Sequence, residues 1–148
     1  DIDGADEIDE QLNLIKGAGG ALLREKIVAS CAKRFIIVGD ITKQVTQLGS
    51  KTPLPIEVIP FAATPVSRRL EDLGASVQVR QLGNLVYLTD NGNMILDCSF
   101  PNGIADPEQM HIHIRSIVGV VETGLFLNMA EQAIIGGPGG VMHLEKLP

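Results

Sequence analysis

The stretch LIKGAGGALLREK, residues 14–26, places a glycine-rich turn between a short apolar run and a helical pattern. Apolar residues continue at helical spacing to residue 33, and a continuous apolar run, RFIIVGD, follows at 34–40. A short strand at 12–15, a helix over 21–33 and a buried parallel strand at 34–40 would form a βαβ unit. The stretch therefore predicts an α/β fold with a parallel sheet. We expect the acidic residues 1–11 before it to form a loop.

The middle of the chain predicts a second, different unit. A proline-punctuated run at 52–60 is typical of an edge strand and a domain boundary. It is followed by a helix over 64–74, a strand at 75–81, a hairpin around Asn91-Gly92, a helix capped by Asp106 with Gly119 past its end, and a strand at 120–128. With the hairpin taken as a single β unit, this is the β-α-β-β-α-β order of a ferredoxin-like fold. We therefore predict an inserted ferredoxin-like α+β subdomain at 53–127.

The remaining residues, 1–52 plus 128–148, are predicted to form a partial Rossmann-like domain with a parallel sheet, to which the last two strands return. The chain begins at Asp1, inside an acidic motif. We therefore expect a fragment whose N-terminal part is missing, so that this domain is incomplete.

Composition excludes several classes of function. The 148 residues carry a net charge of −6, which argues against a nucleic-acid surface, and there are only four Phe, one Tyr and no Trp to stack on bases. No apolar stretch approaches the length of a membrane span. Cys31 and Cys98 have no metal-ligand spacing and are typical of a reducing compartment. We expect no nucleic acid, no membrane and no metal.

The glycine run has two simple interpretations. Gly17 to Leu22 partly matches a dinucleotide fingerprint, with Asp40 near the position of a ribose-binding acid. Leu22 is too large for the third small position of that fingerprint, which makes the match weak. A plain strand-to-helix turn would explain the glycines equally well.

Several charged residues could instead share one site. Asp3 and Asp6 flank a small-residue turn, Lys16 precedes three glycines whose N–H groups could hold an oxyanion, and Glu25 lies early in the predicted helix. Lys43 follows a strand end, where ligands bind in α/β sheets. Taken singly, each could be an ordinary surface charge. His111 and His113, at i and i+2 on a helix, make a poor metal pair, and His143 is expected at the surface.

In order along the chain stand DGADEID, NLIKGAGGALLREKIVA, FIIVGDITKQV, LPIEVIP, VVETGLF and GGPGGV. Together they resemble the type A ribose-5-phosphate isomerase family over essentially the whole chain. The resemblance implies a metal-independent aldose–ketose isomerase that uses no cofactor and passes through a cis-enediolate.

The resemblance also implies roles for residues. Glu25 would be the general base, and Lys16 with the N–H groups of Gly17, Ala18 and Gly19 would stabilise the enediolate. Asp3 and Asp6, with Gly4 and Ala5 between them, would bind hydroxyls, Asp3 also assisting ring opening and proton transfer between oxygens. Lys43 would contact the sugar.

Two departures from the family pattern are visible. Ala18 stands where the family often has glycine, and the TGST-type phosphate-binding loop is absent from this chain. We expect a cytoplasmic homo-oligomer, dimer or tetramer, that binds a sugar phosphate. The alternative is a sugar-phosphate-sensing domain of a transcription regulator, which would have no need for a base and an oxyanion site.

Overall fold

A computed structural model describes residues 1–146, which form three helices and thirteen short strands. The helices are α1 (Leu22–Cys31), α2 (Ala63–Asp72) and α3 (Pro107–Arg115). The strands are β1 (Ile2–Asp3), β2 (Glu7–Ile8), β3 (Leu14–Ile15), β4 (Ile36–Asp40), β5 (Leu54–Val58), β6 (Ser76–Val79), β7 (Gln81–Leu82), β8 (Leu85–Val86), β9 (Met94–Ser99), β10 (Val120–Thr123), β11 (Leu125–Phe126), β12 (Gln132–Gly137) and β13 (Gly140–Glu145).

The first sheet has the strand order β1-β4-β12-β13. β4 pairs in parallel with both β1 and β12, and β13 folds back antiparallel on β12. The predicted parallel sheet and the return of the last two strands to it are confirmed.

The βαβ unit predicted from residues 12–40 is wrong in its first strand. β3 does not pair with β4, because its two residues pair antiparallel with β2 and β11 in a separate small sheet. The parallel neighbour of β4 that precedes α1 is β1, in a segment we expected to be a loop. Residues 1–11 therefore hold two strands, β1 and β2, each too short to show an alternating pattern.

The second sheet is antiparallel, with the order β10-β5-β9-β6. Numbered along the β-α-β-β-α-β segment, these strands lie in the order 4-1-3-2, with α2 and α3 packed on one face. The predicted α/β fold with a ferredoxin-like segment is confirmed. The exact domain boundaries at 53 and 127 stay a prediction.

β5 was expected at an edge because of its prolines, and this is wrong. It is wholly buried and pairs with β10 on one side and β9 on the other. The carbonyl of Pro55 accepts a hydrogen bond from Gly124, just after β10 ends. Since the N–H and C=O of a strand residue point to the same side, the N–H that proline lacks lies where the ladder has already stopped.

In the second unit, the signals predicted for the start of α3 and for the end of α2 are present in the structure. The Asp106 side chain accepts a hydrogen bond from the Gln109 N–H, and Pro107 is the first helical residue. Gly74 follows α2 with φ +92°. The turn at Asn91-Gly92 is present, but its first arm is reduced to a bridge between Leu88 and Met94, because β8 pairs with β7.

Two hydrophobic cores meet near the predicted site. The larger fills the space between the second sheet and helices α2 and α3. The smaller surrounds Phe126, which is fully buried and packs against Phe35. Gly124 joins the two units: its N–H donates to Pro55 and its carbonyl accepts from the Lys16 N–H. A Cβ at Gly124 would lie 2.3 Å from the Lys16 carbonyl oxygen, so only glycine fits there.

Candidate active site

Two loops meet at the edge of the first sheet. The first, Asp3 to Asp6, leaves the carboxyl end of β1, with the Gly4 N–H donating to the Asp3 carboxylate at 2.8 Å. The second, Lys16 to Ala21, connects β3 to α1. Gly17 has φ +110° and its carbonyl accepts from the Gly20 N–H, which turns the chain into the helix. Only glycine adopts such a backbone without strain.

The Lys16 ammonium joins both loops to α1. Its Nζ lies 2.8 Å from Asp3 Oδ2 and 3.1 Å from Glu25 Oε2, and it also donates to the Gly4 carbonyl. The Lys16 residue is only 3% exposed, and Nζ lies 5.5 Å from the centre of the Phe126 ring. A buried ammonium is stable only when its donors are satisfied, and these three acceptors provide that.

The loops are also joined through their backbone. The Ala18 N–H donates to Asp6 Oδ2 at 2.9 Å. Ala18 therefore keeps the function of its N–H although the family often has glycine at this position. The carboxylate of Asp6 thus fixes the conformation of the glycine loop as well as facing the space between the loops.

A cavity of about 210 Å³ lies between the loops. Its lining consists of Asp3, Gly4, Ala5, Asp6, Lys16, Gly17, Ala18, Gly19 and Glu25. The structure thus brings together every predicted site residue except Lys43. The cavity combines three carboxylates, one ammonium and the exposed residues Ala18 and Gly19 of the glycine loop, which suits a polyhydroxylated ligand that develops negative charge.

Similarity to known proteins covers most of this chain. The family model of ribose 5-phosphate isomerase A (phosphoriboisomerase A) matches residues 1–140. The chain belongs to the ribose 5-phosphate isomerase A family. Ribose-5-phosphate isomerase A of Bacillus mycoides is 51% identical over 140 residues, which cover 95% of this chain and 63% of that protein. The Deinococcus radiodurans protein of the same name is 48% identical over 145 residues, covering 98% and 64%.

Solved structures of isomerase A proteins share the fold. The ribose 5-phosphate isomerase of Plasmodium falciparum superposes with a TM-score of 0.95 at 40% identity, covering 99% of this chain and 65% of that one. A D-ribose-5-phosphate isomerase in complex with phospho-erythronic acid gives 0.93 at 44% identity, covering 97% and 63%. The chain thus spans less than two thirds of the length of these isomerases.

Within the isomerase fold, Lys43 lies at the same sheet edge but outside the cavity lining. It ends a 3₁₀ turn, Ile41–Lys43, directly after β4. Asp40 caps this turn by accepting hydrogen bonds from the Thr42 hydroxyl and N–H, which hold the pKa of the Asp40 carboxyl below its usual value. The Lys51 ammonium binds the carbonyls on either side of Lys43.

The weaker alternatives find little support in the geometry. Leu22 is fully buried and lies against Gly17, and the Asp40 carboxylate is engaged in its turn. Nothing here resembles a dinucleotide cradle. His111 bonds to Thr123 and His143 to Gln132. Within residues 1–146, no three His, Cys, Asp or Glu side chains are grouped to hold a metal, and no helix there is long and apolar enough to cross a membrane.

Sequence reasoning missed two cations that hold the site. The Lys26 ammonium donates to Glu122 at 3.0 Å and to the carbonyls of Thr123 and Leu125 at 2.6 and 2.7 Å. Burial lowers the pKa of Lys26, although Glu122 opposes the shift. This contact fastens α1, and with it Glu25, to the junction between the sheets. The second cation, Arg80, contacts the glycine loop itself. Neither residue belongs to a pattern that periodicity or turn chemistry could reveal.

Proposed function

We propose that the protein containing this chain interconverts D-ribose 5-phosphate and D-ribulose 5-phosphate as a metal-independent aldose–ketose isomerase. The observation that carries the proposal is the Lys16 ammonium, held between the carboxylates of Asp3 and Glu25 in one cavity. A base, an oxyanion-stabilising cation and a second carboxylate are the groups that an enediolate mechanism requires.

In the proposed mechanism Glu25 removes the proton from C2 of the open-chain aldose. The electron pair of the broken C–H bond forms the C1–C2 double bond, and negative charge develops on the carbonyl oxygen at C1. The hydroxyl proton of O2 passes to O1, the C1–C2 π electron pair takes the proton back from Glu25 at C1, and an electron pair of O2 forms the C2 carbonyl of the ketose. One carboxylate can serve both carbons because they are adjacent in the cis-enediolate.

The charge on the enediolate oxygens would be stabilised by Lys16 and by the N–H groups of the Gly17–Gly19 loop. Removing one donor of this kind typically lowers kcat about 10²–10³-fold. Asp3 would assist ring opening and move the proton between the oxygens, and Asp6 would bind a hydroxyl. Lys43 would reach the sugar from the neighbouring turn and attract the anionic substrate.

The related isomerase whose structure is in complex with phospho-erythronic acid supports this assignment of substrate. That ligand is a phosphorylated sugar acid whose carboxylate carries negative charge on two oxygens, as an enediolate does. We further propose that the protein acts in the cytoplasm as a homodimer or homotetramer. Neither the compartment nor the assembly is needed for the chemistry above.

The test is whether the purified full-length protein converts ribose 5-phosphate to ribulose 5-phosphate. The reaction is monitored by the appearance of the ketose. Turnover that persists after exhaustive dialysis against a chelator supports a metal-independent isomerase. Binding of ribose 5-phosphate without any ketose formation would contradict the proposal and would favour a sugar-phosphate sensor instead.

A further inference from the structure

The Arg80 side chain reaches from the second sheet to the back of the glycine loop. Its Nη1 donates to the carbonyl of Gly17 at 2.8 Å and to that of Ala18 at 3.0 Å. Its Nε and Nη2 donate to the Asp97 carboxylate at 2.9 and 2.5 Å. The side chain is only 15% exposed. Its contacts with Asp97 and the Gly17 carbonyl are partly buried, whereas its contact with the Ala18 carbonyl is exposed.

Arg80 is itself held firmly. Its N–H donates to Ile95 in β9 and its carbonyl accepts from the Tyr87 N–H, both at 2.9 Å. The Tyr87 ring lies 6.0 Å from the guanidinium carbon. Tyr87 also covers Gly20, where an added Cβ would lie 2.2 Å from the tyrosine hydroxyl. We call Arg80, Asp97 and Tyr87 the Arg80 clamp.

The clamp acts on the two peptide units that matter most for the site. In a trans peptide the C=O and the N–H point in opposite directions, and no cis peptide bond occurs among residues 1–146. The carbonyls of Gly17 and Ala18 belong to the same peptide units as the N–H groups of Ala18 and Gly19. A guanidinium on the oxygen side therefore directs these N–H groups toward the cavity that both residues line, where the Ala18 N–H donates to Asp6 Oδ2.

The same contact strengthens the N–H groups as donors. A positive charge at the oxygen of a peptide polarises its N–H, because hydrogen bonds in series reinforce one another in a shielded environment. Holding donors in place before the reaction also removes the cost of reorganising them as charge develops. Both effects act on an oxyanion in the transition state more than on a neutral substrate.

We infer that Arg80 is a positioning residue for the isomerase: through the Gly17 and Ala18 carbonyls it orients and polarises the next two N–H groups, so that the Ala18 N–H holds Asp6 and the Gly19 N–H is presented to the enediolate. The inference rests on the proposed function. It adds a contribution of the second sheet to catalysis, from a residue outside the motifs that define the site.

The test compares Arg80→Gln with the parent in the full-length enzyme. We expect kcat to fall about 10–100-fold, below the full loss of an oxyanion donor, while KM changes less than about 3-fold. Affinity for phospho-erythronic acid should fall by a factor similar to that of kcat, because its carboxylate uses the same N–H groups. Arg80→Lys keeps the positive charge but loses the bidentate guanidinium, so its kcat should lie between those of the parent and Arg80→Gln.

The matched control is Arg34→Gln. Arg34 also pairs with a carboxylate, Glu131, but this pair is exposed and lies just before strands β4 and β12 of the first sheet. Its loss should leave kcat and KM unchanged. If Arg80→Gln does not fold, Asp97→Asn decides, because it loosens the guanidinium while leaving it in place and should lower kcat in the same direction.

The outcomes separate the two proposals. A parent enzyme without isomerase turnover would refute the proposed function. A parent with normal turnover and an Arg80→Gln or Asp97→Asn enzyme with unchanged kcat would refute the clamp alone. Lower thermal stability with unchanged kcat per folded molecule would also refute it, since it would show that Arg80 only supports the fold.

Discussion

At the scale of single residues, Lys16 and Glu25 show why the site could be predicted. Each is unremarkable in isolation, but the order of motifs along the chain placed both with Asp3 and Asp6, and the structure finds all four around one cavity. Arg80 could not be predicted in this way. It follows an ordinary strand, and its contact with Gly17 is made across 63 residues of sequence.

Gly20 provides a test of the loop at this scale. It has φ +85°, and a Cβ there would meet the Tyr87 hydroxyl. We expect Gly20→Ala to lower the free energy of unfolding by about 1–3 kcal/mol, because both backbone strain and a steric clash result. Chemical denaturation measures this directly.

Gly19→Ala is the control for Gly20→Ala within the same loop. A Cβ at Gly19 would meet no atom within 4 Å. Its stability should stay within about 0.5 kcal/mol of the parent. Equal destabilisation by the two substitutions would contradict the account of the loop.

At the scale of elements, long segments were easier to predict than short ones. Helices α1 and α3 lie within the predicted ranges and α2 begins one residue before its own, because capping residues and apolar spacing mark them. β1, β2 and β3 have only two residues each, so their pairing depends on tertiary contacts and not on any local pattern. β5 was assigned to an edge because a proline within a strand seldom lies at the centre of a sheet.

The junction of α3 with β10 predicts a pH effect. Burial lowers the pKa of His111 below 6.5, the Lys26 and Arg115 charges lower it further, and Glu122 opposes them. The unfolded chain therefore binds a proton at His111 that the folded chain resists. The contribution of neutral His111 to the free energy of unfolding is fully present above pH 6.5. It decreases as the pH falls from there toward the pKa of His111 in the folded state.

We expect His111→Gln to reduce the loss of unfolding free energy on acidification from pH 6.5, measured by denaturation at a series of pH values. His113→Gln, on the exposed side of the same helix, should leave that loss close to the parent's. Glu122 contributes to the loss of unfolding free energy only at lower pH, because Lys26 and the Thr123 N–H outweigh burial and hold the pKa of Glu122 below its usual value. An unchanged pH profile in His111→Gln would contradict the assignment.

At the scale of the whole molecule, the site lies where two separately cored units meet. β1 and the loop after it provide Asp3 and Asp6, and α1 provides Glu25. Arg80, which follows β6 of the second sheet, contacts the glycine loop. Composition and element order were enough to predict both units. They could not predict that the junction would depend on Gly124 and Phe126, because neither stands out from the local sequence.

Substitution of Phe126 tests how much this junction contributes to the free energy of unfolding. Phe126 is fully buried, packs against Phe35 and lies beneath the ammonium groups of Lys16 and Lys26. Phe126→Ala should cost about 3–5 kcal/mol of unfolding free energy. Phe61, which is 97% exposed, is the control, and Phe61→Ala should change stability by less than about 0.5 kcal/mol. A small effect at Phe126 would contradict its role at the junction.

The central claim is that Glu25 moves the proton in an enediolate isomerisation at this cavity, and Glu25→Gln tests it most directly. The substitution keeps the shape of the side chain but removes the base. Steady-state kinetics of the full-length protein should show kcat reduced about 10²–10⁴-fold, with the dissociation constant for ribose 5-phosphate within about 3-fold of the parent, as expected for a group that acts mainly in the transition state. A Glu25→Gln enzyme with near-parental kcat would contradict the account.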